Sequence, residues 1–230
     1  MPADFEPIHL RPVAALADRV LLTGDPGRAM ALAQVVLGDG RLMFNHHRGL
    51  WGYSGTAADG LPLTIQSTGM GGPSAAVVLE ELAALGVRRA IRVGTARGVD
   101  PALAAGSLLA VTAVLAGDGA SRALGAPARQ EPDPTLTAPL VAAAGHAGAL
   151  ASHDLLYAPD GAALAAAWRA AGALAADLES GALAAVAARR GVAFAAIVAI
   201  AADAHGARAD DDALAAAGEA AGHAAAAALR

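Results

Sequence analysis

Short apolar runs alternate with longer segments of helical spacing along most of this chain. Residues 20–22 form the first run and end at the turn 23–27, after which the apolar positions take a helical period. The run is typical of a buried strand, and the period is typical of an amphipathic helix. Pro73 suits the first turn of a helix and Gly86 suits a helix end, so a second helix is predicted between them.

The same reasoning assigns elements to the rest of the chain. Strands are predicted over 20–22, 53–56, 63–67, 90–93, 108–114, 149–152 and 193–201. Helices are predicted over 28–37, 75–85, 136–147, 159–171, 178–190 and 211–229. A tight turn at 58–60 predicts a hairpin, and the stretch 125–134, rich in Pro and Gly, is expected to be an exposed loop. This order predicts an α/β fold: one domain over 1–230, with a central mixed twisted sheet flanked by helices in a three-layer α/β/α arrangement.

Composition narrows the class of protein. The 230 residues suit one large domain, and 56% of them are hydrophobic, so a substantial core is available. The net charge of −5 and the pI near 5.7 argue against a nucleic-acid partner, because no basic field covers the surface. Clustered arginines can still bind a small anion against this mean charge.

Residue types exclude several kinds of chemistry. The chain has no cysteine, which excludes disulfides, thiolate metal sites and cysteine nucleophiles. His46 and His47 are adjacent and would face opposite sides of a strand, so no metal site is predicted. The longest apolar run, 192–202, is too short to span a bilayer, and the N-terminal segment does not have the pattern of a signal peptide. We therefore expect a cytoplasmic protein with no membrane partner.

Two glycine turns that follow predicted strands have chemistry suited to an anion. Gly24 belongs to a turn whose backbone N–H groups start a helix, and Arg28 adds a guanidinium there. Arg92 stands inside an apolar strand, where burial requires an anion or a carboxylate partner. Thr95 supplies a hydroxyl at the predicted strand end. The alternatives are a surface arginine at position 28 and a core ion pair between Arg92 and a carboxylate.

A third turn, 177–180, begins an apolar helix with two acidic residues, Asp177 and Glu179. Acidic residues are favoured at a helix N-terminus by the helix dipole alone. The carboxylate of Glu179 is equally suited to accept hydrogen bonds from the vicinal hydroxyls of a sugar.

Six segments in this order resemble the family of purine nucleoside and uridine phosphorylases. The resemblance runs from about Asp18 to His205 and is carried by LLTGDPGRA (21–29), RGLWGYSGT (48–56), STGMGGPSA (67–75), IRVGTARG (91–98), SHDLLYAPDG (152–161) and ADLESGALAAVAARRGV (176–192). No single segment decides the matter, but six in the right order over most of the chain are specific for the family.

The resemblance implies the ligands and the residues that bind them. A nucleoside is the implied substrate, with inorganic phosphate as co-substrate and no cofactor. The implied phosphate-binding residues are Gly24, Arg28, Arg92 and Thr95, joined by Arg48 from a neighbouring subunit. The implied nucleoside-binding residues are His9 at the 5′-hydroxyl, Met70, Leu178 and Glu179 at the ribose, Leu156 beside the base, and Asp203. The implied assembly is a homodimer that shares two sites, often with three dimers in a hexameric ring.

The implied reaction is phosphorolysis, which gives a free base and a pentose 1-phosphate. Breaking the N-glycosidic bond develops positive charge on the sugar and negative charge on the base. A phosphate dianion held by Arg92 and the other arginines stabilises that cation and then attacks the anomeric carbon. Asp203 matches the acid that protonates a departing purine, provided that burial raises its pKa. The alternative for Asp203 is a helix N-cap.

The sequence favours a purine base. Tyr157 is followed by residues 158–161, which contain neither the Gln nor the Arg expected of pyrimidine members, and Asp203 also favours purines. Thr95, more typical of uridine phosphorylases, favours a pyrimidine. Arg97 stands where the family usually has glycine, and Arg208 is the one nearby arginine that could assist Asp203. Besides a uridine phosphorylase, a nucleosidase and a non-catalytic nucleoside-binding relative are alternatives, although water as the nucleophile needs no cluster of arginines.

Overall fold

The computed structural model describes residues 6–230 of the chain. Its strands are β1 (Arg19–Thr23), β2 (Leu42–Asn45), β3 (Gly52–Thr56), β4 (Pro62–Ser67), β5 (Arg89–Gly98), β6 (Leu108–Ala116), β7 (Arg129–Gln130), β8 (Gly145–Ser152), β9 (Ala173–Asp177) and β10 (Ala193–Ala202). Its helices are α1 (Pro26–Val36), α2 (Gly72–Ala84), α3 (Gly119–Ala123), α4 (Pro134–Ala144), α5 (Gly161–Ala170), α6 (Ser180–Arg190) and α7 (Asp211–Ala228), with a 3₁₀ turn at His47–Gly49.

The strands form one mixed sheet in the order β10-β6-β8-β9-β5-β1-β4-β3-β2, as the mixed α/β prediction expects. β10 also pairs with β5, so the strands β5, β10, β6, β8 and β9 close into a ring. β1 and β4 extend from this ring as parallel neighbours of β5, and the predicted hairpin of β3 and β4 is present. The ring closure is a feature that the sequence pattern did not predict.

Side chains on the two faces of the sheet belong to two separate hydrophobic clusters. On β1, Val20 and Leu22 lie in one cluster, whereas Leu21 between them lies in the other. This alternation follows from the two-residue period of a strand. Helices α2 and α6 pack against each other, and α1 and α4 pack against α7. Among residues 6–230, none of the helices combines the length and apolar character needed to cross a bilayer.

Several predicted boundaries are wrong for local reasons. The helix predicted over 136–147 ends at Ala144, because Gly145 takes a left-handed conformation and starts β8. The stretch 125–134 is not a simple exposed loop, since β7 lies within it and Gln130 is buried. Strand β5 continues to Gly98, five residues beyond its predicted end at 93. The sequence pattern also missed the short elements β2, β9 and α3.

A buried arginine ties the first strand to the tip of the hairpin and to the C-terminus. Arg19 is 1% exposed, and its two terminal nitrogens each donate to a carboxylate oxygen of Asp59 at 2.7 Å. The same guanidinium donates to the backbone oxygens of Pro62, Leu61 and Leu229. These bonds hold the pKa of Asp59 far below its usual range.

Replacing Asp59 with Asn should therefore destabilise the fold. The buried guanidinium of Arg19 would lose its anionic partner, and we expect the free energy of unfolding to fall by about 2 kcal/mol. Urea denaturation measures the change. Glu131→Gln is the control, because the Arg129–Glu131 pair is exposed and should contribute less than about 0.5 kcal/mol. Equal effects of the two substitutions would contradict the structural role of Asp59.

Candidate active site

Parallel strands β1 and β4 end side by side, next to the middle of their longer neighbour β5, and their following loops come together. Leu22 on β1 pairs in register with Arg92 on β5, and Thr23 pairs with Ser67 on β4. The loops after β1 and β4 approach so closely that a Cβ added at Gly24 would lie 3.3 Å from the carbonyl oxygen of Gly69. The carboxyl ends of such strands are the usual place for ligands in α/β folds.

Arg92 is the centre of this region and is 2% exposed. Its Nε donates to Oδ2 of Asp177 at 3.0 Å, and its Nη2 donates to Oε2 of Glu179 at 2.7 Å. The core ion pair between Arg92 and a carboxylate, which was the alternative to an anion site, is therefore present. Nη1, however, is buried and has no hydrogen-bond partner among the described residues. Since a buried guanidinium nitrogen is costly to leave unpaired, this atom suits an external anion.

Arg28 supplies a second guanidinium, which lies within electrostatic range of Arg92. It lies in the first turn of α1, where its backbone N–H donates to Oδ1 of Asp25 at 2.7 Å. Burial lowers the pKa of Arg28, the carboxylate of Asp25 raises it, and the charge of Arg92 lowers it further. The influence of Arg92 indicates two cations close enough to repel each other. An anion between them would relieve that repulsion.

Glu179 connects Arg92 to the loop after β4. Its Oε1 accepts a hydrogen bond from the backbone N–H of Gly71 at 2.7 Å, while Oε2 accepts from Arg92. Glu179 makes no side-chain bond to the N-terminus of α6, so the helix dipole does not account for this carboxylate. Asp177 instead bonds to the N-terminus of α6, since its carboxylate accepts the backbone N–H of Ser180.

The remaining predicted residues of this chain differ widely in exposure. Met70 is 88% exposed between two glycines of positive φ, and Leu178 is half-buried. Thr95 is half-buried within β5, so its predicted place at a strand end is wrong. Leu156 is 64% exposed in the segment between β8 and α5 and does not form a wall within this chain.

Asp203 differs most from its prediction. It is half-buried instead of buried, and its Oδ1 accepts the backbone N–H groups of His205 and Ala207, both at 2.9 Å. The helix N-cap alternative is also wrong, because Asp210 caps α7. Asp203 closes a turn after β10, and the enclosed environment expected of a proton donor is not formed by this chain alone. Arg208 is exposed in the same turn and pairs with Ala202 through its backbone.

Two residues expected to serve a neighbouring site lie together on the surface. His47 Nδ1 is 3.0 Å from the carbonyl oxygen of His9, and Arg48 is the next residue. Arg48 is exposed and has a φ of 59°, an uncommon conformation for a residue with a side chain. No hydrogen bond within residues 6–230 links His9 or Arg48 to Arg92.

Glu81 is a residue of this region that sequence reasoning missed. Its buried carboxylate accepts the backbone N–H groups of Ile8, His9 and Leu10 and contacts Nδ1 of His9 at 2.8 Å. The sequence signal was an acidic residue on the predicted buried face of a helix. Asp177 was noted only as a helix start, and its contact with Arg92 depends on the unpredicted strand β9.

Comparison with known proteins identifies the family. The model of the phosphorylase superfamily matches residues 18–230, and the chain therefore belongs to this superfamily. The chain is 39% identical over 127 residues to a uridine phosphorylase of Treponema pallidum, covering 54% of this chain and 48% of that protein. It is 44% identical over 90 residues to a DeoD-type purine nucleoside phosphorylase of Streptococcus uberis, covering 39% of this chain and 37% of that protein.

A uridine phosphorylase of Escherichia coli is 34% identical over 148 residues, with 61% of this chain and 57% of that protein covered. These matches span about half or less of the length of the first two relatives and somewhat more of the third. The crystal structure of uridine phosphorylase from Vibrio fischeri has the same fold, with a TM-score of 0.84 at 24% identity over 93% of this chain and 91% of that one.

The anchorage of residues 8–10 by Glu81 should depend on pH. Burial raises the pKa of Glu81, but the hydrogen bonds from His9 and the backbone outweigh it and lower the pKa below 4.5. A carboxylate with a lowered pKa stabilises the fold above its unfolded pKa, and that stability is lost as the pH falls through the folded value. Glu81→Gln should lower the free energy of unfolding at pH 7 and flatten its decline below pH 4.5.

Urea denaturation across a pH series measures this effect. Glu219→Gln is the control, because Glu219 is exposed on α7 and should leave both the stability and its pH dependence unchanged. A Glu81→Gln profile parallel to that of the natural protein would show that the anchorage contributes nothing.

Proposed function

We propose that the protein is a nucleoside phosphorylase that cleaves a purine nucleoside with inorganic phosphate. The observation that carries this proposal is the buried, unpartnered Nη1 of Arg92 beside the guanidinium of Arg28. Water as the nucleophile requires no such pair of cations, which argues against a nucleosidase. The sequences of relatives named as nucleoside phosphorylases support the same reaction.

The arrangement of charges suits the two substrates. Phosphate binds Arg28, Nη1 of Arg92, the backbone of the turn at Gly24 and the hydroxyl of Thr95. Each carboxylate oxygen of Glu179 has one protein donor and a lone pair remaining for a ribose hydroxyl. Phosphate and sugar are then neighbours, and the dianion stabilises the positive charge that develops on the sugar.

The base subsite is proposed around Leu156 and Asp203. A purine leaves as an anion unless a donor meets its nitrogen, and Asp203 is the acid in this part of the chain. Relatives of both specificities match at similar identity. We choose purine because residues 158–161 offer neither Gln nor Arg to bind a uracil edge.

We further infer a shared site and a three-layer arrangement. The surface formed by His9, His47 and Arg48 supports a contribution to a second copy in a homodimer, because these residues lie together but make no bond to Arg92. The helix groups on opposite faces of the sheet support the three-layer α/β/α arrangement in a single domain. A hexameric ring extends the same proposal.

Release of base should require phosphate. We expect turnover of inosine or adenosine with phosphate and none with buffer alone. Arg28→Ala should raise the KM for phosphate by about tenfold or more, because it removes a charge-assisted bond, and should change the KM for nucleoside little. Arg189→Ala, on the exposed last turn of α6, is the control. Turnover without phosphate would identify a nucleosidase, and no turnover of purine or pyrimidine nucleosides would favour a binding protein.

Asp203→Asn should lower kcat for purine nucleosides by about a hundredfold, because the departing base loses its proton donor. Steady-state kinetics with inosine and a direct titration with phosphate measure the two effects, and phosphate affinity should stay within about twofold. Asp210→Asn is the control, since it changes the same functional group at the N-cap of α7. An unaffected kcat for Asp203→Asn would remove this residue from the mechanism.

A further inference from the structure

The carboxylate of Asp177 is the most heavily bonded polar group near the site. It is 5% exposed at the end of β9. Its Oδ2 accepts from Nε of Arg92 at 3.0 Å and from the hydroxyl of Ser180 at 2.6 Å. Its Oδ1 accepts from the hydroxyl of Ser152 at 2.9 Å and from the backbone N–H of Glu179 at 3.3 Å. Asp177 therefore has no lone pair left for a ligand.

The bonds to Arg92 determine which way its free nitrogen points. A guanidinium is planar, so fixing two of its three nitrogens fixes the direction of the third. Asp177 holds Nε and Glu179 holds Nη2, and Nη1 is the one guanidinium nitrogen left without a partner among the described residues. Glu179 alone would hold the plane at one point and allow the guanidinium to turn about that bond.

We propose that Asp177 is a positioning residue, which aims Nη1 of Arg92 at phosphate without touching the phosphate itself. The proposal rests on the proposed function. Asp177 also holds the backbone N–H of Glu179, so the same carboxylate places the group proposed to bind ribose. Phosphate and sugar subsites are thereby set by one buried side chain.

Replacing Asp177 with asparagine distinguishes the positioning role from helix capping alone. An amide oxygen still accepts the backbone N–H of Ser180, and asparagine is as good an N-cap as aspartate. Its NH₂ group, however, is a donor and cannot accept the Nε–H of Arg92. Asp177→Asn therefore keeps a bond to the helix start, but it removes the negative charge that pairs with Arg92 and, where the amide NH₂ faces Nε, the hydrogen bond as well.

Titration calorimetry with inorganic phosphate, without nucleoside, tests the proposal on the full-length protein. Although the substitution removes a negative charge near the anion, Asp177→Asn should weaken phosphate binding by about tenfold to a hundredfold, because the charge-assisted hydrogen bond from Nη1 of Arg92 loses its alignment. Ser152→Ala is the matched control: it removes one buried bond from Oδ1 of the same carboxylate and leaves the contact with Arg92 in place. It should lower the free energy of unfolding and leave the phosphate Kd within about twofold.

Each outcome of these phosphate titrations either supports or overturns the positioning role of Asp177. A folded Asp177→Asn protein with the phosphate Kd of the natural protein would overturn the proposal, because capping alone would then explain Asp177. If that variant does not fold, Ser180→Ala takes its place, since it removes the hydroxyl bond to Oδ2, the oxygen that Arg92 uses. A phosphate Kd weakened about threefold or more would support positioning, and an unchanged Kd would overturn it.

The two proposals fail differently. A natural protein that binds phosphate but cleaves no nucleoside would overturn the proposed function and leave the role of Asp177 to be decided by the Kd values. A natural protein that binds no phosphate would overturn both.

Discussion

The ion pairs of Arg92 with Asp177 and Glu179 are the interaction on which the candidate site depends. A guanidinium this deeply buried is tolerated only when carboxylates compensate its charge. The partners come from β5 and from the turn between β9 and α6, and Glu179 in turn holds the N–H of Gly71 in the loop after β4. These bonds fix three segments that are distant in sequence around one charge. They contribute to the geometry of the site more than to the free energy of unfolding.

Ring closure of the sheet is what makes these ion pairs possible. β5 pairs with β10 along almost its whole length, and only its last two residues pair with β9. The pairing of Arg97 and Gly98 with Ala176 and Ala175 places the end of β9 beside the carboxyl end of β5, and the side chain of Arg92 reaches Asp177 from farther back along β5. An open sheet with β5 ending at residue 93 would leave Asp177 and Glu179 without this neighbour. The extension of β5 beyond residue 93 therefore contributes to the geometry of the site, although its residues take little part in the proposed chemistry.

The individual charged residues of the candidate site were predictable from the sequence, but the residues from distant parts of the chain that bond to them were not. Arg28, Arg92 and Glu179 stood out because charged residues at strand ends and helix starts need a reason to be there. Strand β9 was missed because 173–176 is a short apolar run of alanine and leucine with no polar alternation, so the neighbours of Asp177 could not be assigned. Asp203 was expected to be buried because an apolar strand precedes it, but the turn after β10 carries it toward the surface.

The charges of the cluster bear on the contribution from a second copy that we propose. Arg28 and Arg92 contribute two positive charges, and Asp177 and Glu179 contribute two negative charges, so this cluster has no net charge to offer a phosphate dianion. Nη1 of Arg92 can offer a directed hydrogen bond, and the carboxylate of Asp25 offsets part of the positive charge of Arg28. Arg48 of the proposed second copy would add a third cation, and in this chain Arg48 is exposed in an unusual backbone conformation next to His47. The core ion pair and the anion site are therefore not competing explanations of Arg92, because the pair leaves Nη1 of its guanidinium without a partner among residues 6–230.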